Sequence, residues 1–428
     1  MLKSSLENSA WAVLEHLFYP LLVFATTPFF FHAIGAEQYG FWMLLTATTS
    51  FGTILNVGTG AATIKYVSAE IGEGRTESIK STLRGSLAVA LIGGGFFASV
   101  ILLIYWLIGE LLFAKMGDPW SLRLTGFAAA LLAWIEQLDN VYASALKGAE
   151  RFGNAARVEM AAKTVQMTAA IFAVVLNGSI EALYAALILA SLGRLWMKIH
   201  LVRQIMAIGL LPPSLASAIK ILHFSKWGWL QGVGAVLFGV ADRLFVGSFL
   251  GATSLAYYSI ASQLASQVHA VAAAAISVTF PFVSRKRESD PFFPLRTATW
   301  LTLVETFFVS SGLAAILLLF GKQILSLWIG SAESEAAGTV LQYLAVAYWI
   351  LALNVTPHFI LLGLGRARFL AVSNLFAGIV SLSIMWQLIQ VWELKGVAIA
   401  RAIYGVLVCA SFVPLLRELW RGRHDVPR

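Results

Sequence analysis

The sequence predicts an all-α polytopic membrane protein with twelve transmembrane helices in two parallel six-helix repeats. Of its 428 residues, 59% are hydrophobic and only 12% are charged, and the mean hydropathy is +0.79. Soluble domains carry about a quarter charged residues, so this chain could not cover a soluble surface. Apolar runs such as residues 301–320 are continuous, whereas the strands of a transmembrane β-barrel alternate apolar and polar residues.

Cysteine content and charge exclude two further classes of protein. Cys409 is the only cysteine in the sequence, which excludes a disulfide-stabilised scaffold. The formal charge is +8, but the basic residues are scattered over many loops. We therefore expect no nucleic-acid partner.

Each predicted helix is an apolar run of roughly 20 residues, the length that crosses a bilayer. The runs are broken by glycine, proline or clusters of charge. They cover residues 11–34, 41–62, 83–108, 122–146, 157–177, 182–206, 226–250, 255–283, 297–320, 338–363, 370–391 and 397–416.

The distribution of basic residues predicts the orientation of these helices. The termini and the even-numbered connections carry 24 of the 30 Lys and Arg residues, and the odd-numbered connections carry 4. Cytoplasmic loops are enriched in Lys and Arg. We therefore expect both termini in the cytoplasm.

Three pairs of loops indicate an internal duplication, with a first repeat at residues 1–215 and a second at 216–428. Gly35-Ala36 recurs as Gly251-Ala252 at an offset of 216, and both turns continue into aromatic residues, which are common at membrane interfaces. The loops at 147–152 and 364–369 match at an offset of 217, and those at 180–184 and 394–398 at 214. Six helices per repeat would give the two halves the same orientation. Coincidence among glycine-rich loops is the alternative.

The motifs of several enzyme classes are missing from the sequence. There is no phosphate-binding Gly-x-x-x-x-Gly-Lys-Ser/Thr loop, no His-Glu-x-x-His pair, no cysteine cluster and no Gly-x-Ser-x-Gly turn. We therefore expect no ATPase, no metal site, no cofactor and no enzymatic activity.

Ionisable residues inside the predicted helices are the candidate functional groups, because charge in a membrane span is costly. Asp242 and Arg243 are adjacent on span 7 and therefore diverge by about 100°. One interpretation is an anion site at Arg243 oriented by Asp242, and the alternative is a structural ion pair between helices. Glu136 and Asp139 share a face of span 4, where repulsion favours binding of a proton. The alternative interpretation of this pair is a row of polar side chains that is hydrogen-bonded to neighbouring helices.

Other charges in the spans complete the candidate set. Glu15 and Glu305 lie nearer the cytoplasmic side, and with Asp242 they are further candidates for ion coupling. Arg401 on span 12 either extends to the interface or faces a cavity. Arg194 and Lys198 are one turn apart on span 6, where extension to anionic headgroups is the simpler interpretation and a cavity position for Arg194 is the alternative.

Three segments resemble the polysaccharide transporter family, which includes the O-antigen (Wzx-type) flippases of the multidrug/oligosaccharidyl-lipid/polysaccharide (MOP) exporter superfamily. They are residues 34–42 (IGAEQYGFW), residues 241–252 (ADRLFVGSFLGA) and Lys147-Gly148 followed by Arg151-Phe152. The resemblance covers essentially the whole chain.

This resemblance implies a V-shaped bundle, similar to the MATE multidrug exporters, in a bacterial inner membrane. It implies flipping of a polyprenyl-diphosphate-linked oligosaccharide, such as an O-antigen, exopolysaccharide or capsule unit, by ion-coupled alternating access. The cavity arginines would be Arg243, Arg401 and Arg194, and the coupling ion would be H⁺ or Na⁺. Membrane lipids, a polysaccharide polymerase and a chain-length protein are the partners it implies.

Two alternative functions remain open on the sequence alone. A cation-coupled multidrug exporter would share the fold, although span 1 offers only Glu15 and span 10 carries no carboxylate. A glycosyltransferase or polymerase is typically built with a large outer loop, and the longest outer connection here is short.

Overall fold

A computed structural model describes residues 2–209, 211–276 and 295–421. All regular elements in these ranges are helical, and no strand occurs among them. This confirms the all-α prediction. Each predicted span lies on helical segments of the described ranges, except for the last residues of the eighth, which lie outside these ranges. The second, third, seventh, tenth and twelfth predicted spans are each divided between consecutive helical elements.

Within the described ranges, most consecutive helices are joined by only a few residues. A π-helical turn at Ile104–Ile108 extends α3, and 3₁₀ turns occupy Ala114–Met116 and Cys409–Ser411. The α-helices are α1 (Leu2–Ser50), α2 (Thr53–Gly72), α3 (Thr76–Leu103), α4 (Gly109–Leu112), α5 (Pro119–Gly148), α6 (Phe152–Asn177), α7 (Ile180–Met206), α8 (Leu215–Gly239), α9 (Ala241–Leu250), α10 (Ala252–Ile276), α11 (Leu295–Ile329), α12 (Ser331–Leu353), α13 (Val355–Gly363), α14 (Ala367–Val408) and α15 (Phe412–Arg421).

Six helical stretches within the described ranges are long and apolar enough to cross a membrane. Together with the family relationships reported below, they support a multi-pass membrane protein. The stretches are Thr76–Leu112, Phe152–Leu176, Ile180–Met206, Leu295–Ile329, Ser331–Gly363 and Arg368–Trp420.

Single residues replace two of the predicted loops. Spans 1 and 2 adjoin within α1 at Gly35, whose φ of 78° and ψ of 166° interrupt the helix. Glycine reaches positive φ without a Cβ clash, so one residue is enough to turn the chain. Spans 11 and 12 likewise adjoin within α14 at Glu393, with φ 46° and ψ −130°.

The aromatic residues after Gly35 are buried within the protein. Tyr39 and Trp42 are 1% and 4% exposed. Trp42 packs edge-on to Phe30 at 4.6 Å between ring centres, and Tyr39 packs on Phe31 at 5.6 Å. These rings fasten the second segment of α1 against the first.

The chain divides into two compact units, described separately here. Unit 1 comprises residues 1–240 with Gly251–Thr253, and unit 2 comprises Ala241–Leu250 with Ser254–Arg428. Helix α8 belongs to unit 1 because it packs on α2 and α3. A packing boundary and a repeat boundary are different properties, so the predicted repeats at 1–215 and 216–428 stay a prediction.

Glycines bring α8 close to its neighbours in unit 1. A Cβ on Gly58 would lie 2.4 Å from the Ser225 carbonyl oxygen, and one on Gly85 would lie 2.4 Å from that of Ser217. Small residues allow this backbone approach between membrane helices.

Candidate functional site

Four buried charges form a network inside unit 1, which we call the unit 1 network: Asp139 on α5, Glu159 on α6, and Arg194 and Lys198 on α7. The Lys198 ammonium donates to Asp139 Oδ2 at 2.7 Å and to Glu159 Oε2 at 2.5 Å. Arg194 Nη1 donates to Glu159 Oε1 at 3.1 Å, and its Nε lies 3.5 Å from Asp139 Oδ1. Each cation therefore joins both carboxylates.

The burial of the two cations differs from the headgroup position expected for them. The side chains of Lys198 and Arg194 are only 2% and 5% exposed. Because they are one turn apart on α7, both face α5 and α6. The two positive charges balance two carboxylates, which removes most of the cost of burying them.

Helix α5 directs polar side chains to two sets of neighbours. Gln137 Nε2 donates to the Gly52 carbonyl at 2.8 Å and Asn140 Nδ2 donates to the Asn56 carbonyl at 3.2 Å. These bonds satisfy backbone groups beside the break between α1 and α2. Asp139 on the same helix serves the unit 1 network.

Lys163 is half-buried beside the unit 1 network. Its ammonium is 4.0 Å from Glu159 Oε1, and Glu136 lies close enough to interact with it electrostatically. The repulsion expected between Glu136 and Asp139 is therefore offset by Lys163 and Lys198. The coupling role of Glu136 and Asp139 stays a prediction.

A second buried network lies in unit 2 and joins four helices; we call it the unit 2 network. Its members are Asp242 on α9, Tyr258 on α10, Tyr348 on α12 and Arg401 on α14. Arg401 Nη2 lies 3.1 Å from Asp242 Oδ2 and donates to the Tyr348 hydroxyl at 3.0 Å. The Tyr258 hydroxyl donates to the same Asp242 oxygen. Asp242 and Arg401 are 2% and 8% exposed.

The ion-pair partner of Asp242 is thus Arg401, which lies 159 positions away in the chain. The adjacent Arg243 is not part of this ion pair. The Arg243 backbone N–H donates to Asp242 Oδ1 at 2.9 Å, and its side chain is half-buried. Among the described residues no carboxylate pairs with the Arg243 guanidinium. The break at Val240 places Asp242 in the first turn of α9.

The remaining candidate acids lie outside both networks. Glu305 is exposed on α11, on a stripe that includes Leu301 and Phe308. The side chain of Glu15 lies outside the described residues. Glu159 was not among the predicted site residues, although its spacing of four from Lys163 on one helix face is a signal of pairing.

A model of the family described as "Polysaccharide biosynthesis protein" matches residues 34–338. The chain belongs to this family. It is also similar to a curated protein of Shigella flexneri named "Putative O-antigen transporter", with 21% identity over 409 residues, covering 94% of this chain and 96% of that protein.

Solved structures of transporters share the fold. The lipid II flippase MurJ in an inward closed conformation matches with a TM-score of 0.74 and 12% identity, covering 96% of this chain and 87% of that one. An inward-facing MATE multidrug resistance transporter of the MOP superfamily matches with a TM-score of 0.71 and 15% identity, covering 97% and 96%. The chain therefore has the MOP-superfamily fold.

Proposed function

We propose that this protein flips a polyprenyl-diphosphate-linked oligosaccharide from the inner to the outer leaflet of a bacterial inner membrane. It acts by ion-coupled alternating access and not as an enzyme, with both termini in the cytoplasm. The family, the O-antigen relative and the transporter fold support this proposal. A shared fold alone does not define a substrate, so the polysaccharide family carries more weight than the likeness to multidrug exporters.

The observation that carries the proposal is the pair of buried charge networks on the helices. Charges within a membrane span are costly and commonly mark a transport pathway. Lys198 and Arg194 present an ammonium and a planar guanidinium, the groups that bind phosphate oxygens. Arg243 and Arg401 supply two further guanidinium groups in unit 2.

The unit 1 network also suggests how anion transport is coupled to protons. A diphosphate that binds Lys198 and Arg194 competes with Asp139 and Glu159 for the same cations. A buried carboxylate that loses its partner is strongly disfavoured unless it binds a proton. Substrate binding would therefore promote proton uptake at Asp139 or Glu159, with Glu136 and Glu305 as further candidates for H⁺ or Na⁺ coupling.

Leaflet exchange in proteoliposomes tests the proposal. The purified chain is reconstituted with a fluorescent polyprenyl-diphosphate oligosaccharide, and a membrane-impermeant quencher reports the fraction of outward-facing lipid. We expect exchange that exceeds that of protein-free vesicles and responds to a pH or Na⁺ gradient. Absence of exchange, together with gradient-driven export of an organic cation such as ethidium, would establish the multidrug exporter instead.

A further inference from the structure

One end of unit 1 holds two lysines around a single aromatic ring. The Lys220 ammonium lies 4.1 Å from the centre of the Tyr66 ring, and the Lys65 ammonium lies 5.5 Å from it. Lys65 also lies 4.3 Å from the centre of the Phe224 ring, and the two rings meet edge to face at 6.0 Å. Attraction between cations and ring faces holds both lysines in place.

The charges around these rings are unbalanced. Lys220 donates to Glu70 Oε1 at 2.7 Å, and Glu70, which is buried, also accepts from Thr82 at 2.9 Å. Lys65 is exposed, and within the described part of the chain no carboxylate lies within ion-pair distance of it. Both lysines therefore lie against the Tyr66 ring, but only Lys220 has a carboxylate partner, so the pair carries one uncompensated positive charge that an added anion would balance.

The position of the lysines suits a ligand in the headgroup region. Lys65 precedes the end of α2 at Gly72, and Lys220 follows the start of α8 at Leu215. At 1.5 Å per residue, both lie roughly 8–10 Å inside the helix ends. The charge bias predicts that this end of the helices faces the cytoplasm, where a lipid-linked substrate would arrive.

We propose that Lys65 and Lys220, held by Tyr66 and Phe224, bind the diphosphate group of the lipid-linked substrate before it moves further into the protein. The proposal rests on the function proposed above. Two ammonium groups beside the same ring could each bind one of two linked phosphoryl groups, whereas a phospholipid headgroup offers a single phosphodiester charge. The site is separate from the unit 1 network, since none of its residues belongs to that network.

Calorimetric titration of the full chain in detergent with inorganic pyrophosphate tests the site. We expect Lys65→Gln and Lys220→Gln each to weaken binding at least about tenfold, and Lys65→Arg to retain most of it because the charge remains. Lys80→Gln is the matched control, since Lys80 is on the neighbouring α3 and is paired with Glu77 at 2.6 Å. It should bind like the wild type. Equal pyrophosphate affinity in all variants would overturn the proposal.

Binding to lipid vesicles tests whether the two lysines recognise a diphosphate or the headgroups of ordinary membrane phospholipids. Binding of the same variants is compared on phosphatidylglycerol and phosphatidylcholine vesicles. A Lys65→Gln variant that loses only its preference for phosphatidylglycerol, with pyrophosphate binding intact, would also overturn the proposal.

Because binding is measured without transport, a wild type that flips substrate but binds no pyrophosphate would refute this site alone. A wild type that binds pyrophosphate but does not flip would refute the proposed function.

Discussion

At the scale of single residues, the buried acids of the two networks pair with cations that are carried by other helices. Asp139 and Asp242 were identifiable because carboxylates are rare in apolar helices. Their partners Lys198 and Arg401 lie 59 and 159 positions further along the chain, and only the packing of helices brings them together. Glu159 was missed for the same reason, since its role depends on α7.

Removal of Arg401 tests the unit 2 network. Arg401→Met leaves the Asp242 carboxylate buried without its cation, which typically costs about 3–5 kcal/mol. We expect a large fall in the melting temperature in detergent, and recovery of most of it when Asp242→Asn is added. A single variant as stable as the wild type would show that the pair does not hold α9 to α14.

Asp118 caps helix α5 and makes the stability of this helix start depend on pH. Its carboxylate accepts from the backbone N–H of Trp120 at 3.1 Å and of Ser121 at 3.0 Å, and from the Ser121 hydroxyl. The Ser121 hydrogen bonds lower the pKa of Asp118 below its usual value. The stabilisation is therefore complete above the unfolded pKa of about 3.9 and is lost as pH falls through the lowered folded pKa.

Two substitutions of Asp118 distinguish the contribution of its capping hydrogen bonds from that of its negative charge. We expect Asp118→Ala to cost about 1 kcal/mol at neutral pH and Asp118→Asn to cost less, because Asn also caps helices. Thermal melts between pH 7 and pH 3 are the measurement. The difference between the wild type and Asp118→Ala should shrink towards the acid end, and a difference that stays constant would contradict the assignment.

At the scale of elements, hydropathy located the helices, but hydrogen bonding and backbone torsions decide where each one breaks. The loop predicted after residue 34 is a single turn at Gly35, and the one predicted after residue 391 is Glu393. Neither could be predicted as one residue, since a glycine or glutamate between two apolar runs is compatible with longer loops. The π-helical turn at Ile104–Ile108 likewise has no sequence signal of its own.

That π-helical turn packs against a glycine, which makes its fit testable. Tyr105 bonds Thr48 at 2.6 Å between hydroxyl oxygens, and a Cβ on Gly126 would lie 2.4 Å from the Tyr105 side chain. We expect Gly126→Ala to displace Tyr105 and to cost about 1–3 kcal/mol by overpacking. Gly93→Ala is the control, because no atom lies within 4 Å of its added Cβ. Equal melting temperatures for the two variants would contradict this packing.

At the scale of the whole molecule, composition alone predicted the class of protein, since so little charge is compatible only with membrane burial. The family match and the structures of transporters confirm the recognised superfamily and its fold. The boundary between the two packing units could not be predicted from composition, because α8 packs with α2 and α3. The packing of α8 in unit 1 depends on close backbone approach at Gly58 and Gly85. A hydropathy pattern contains no information on such contacts between helices.

Removal of one buried ion pair should slow leaflet exchange of the lipid-linked oligosaccharide, because we propose that these charges bind its diphosphate and couple its transport. The variant Asp139→Asn with Lys198→Met removes one charge of each sign and leaves Glu159 paired with Arg194, so it should remain folded. Glu77→Gln with Lys80→Met removes the exposed pair on α3 and serves as the control.

Flipping of the fluorescent polyprenyl-diphosphate oligosaccharide is measured for both variants after equal insertion into proteoliposomes. We expect the control to flip the substrate at the wild-type rate and the network variant to lose at least about tenfold in rate. A network variant that is inserted, stable and flips at the wild-type rate would show that the buried charges have no role in transport.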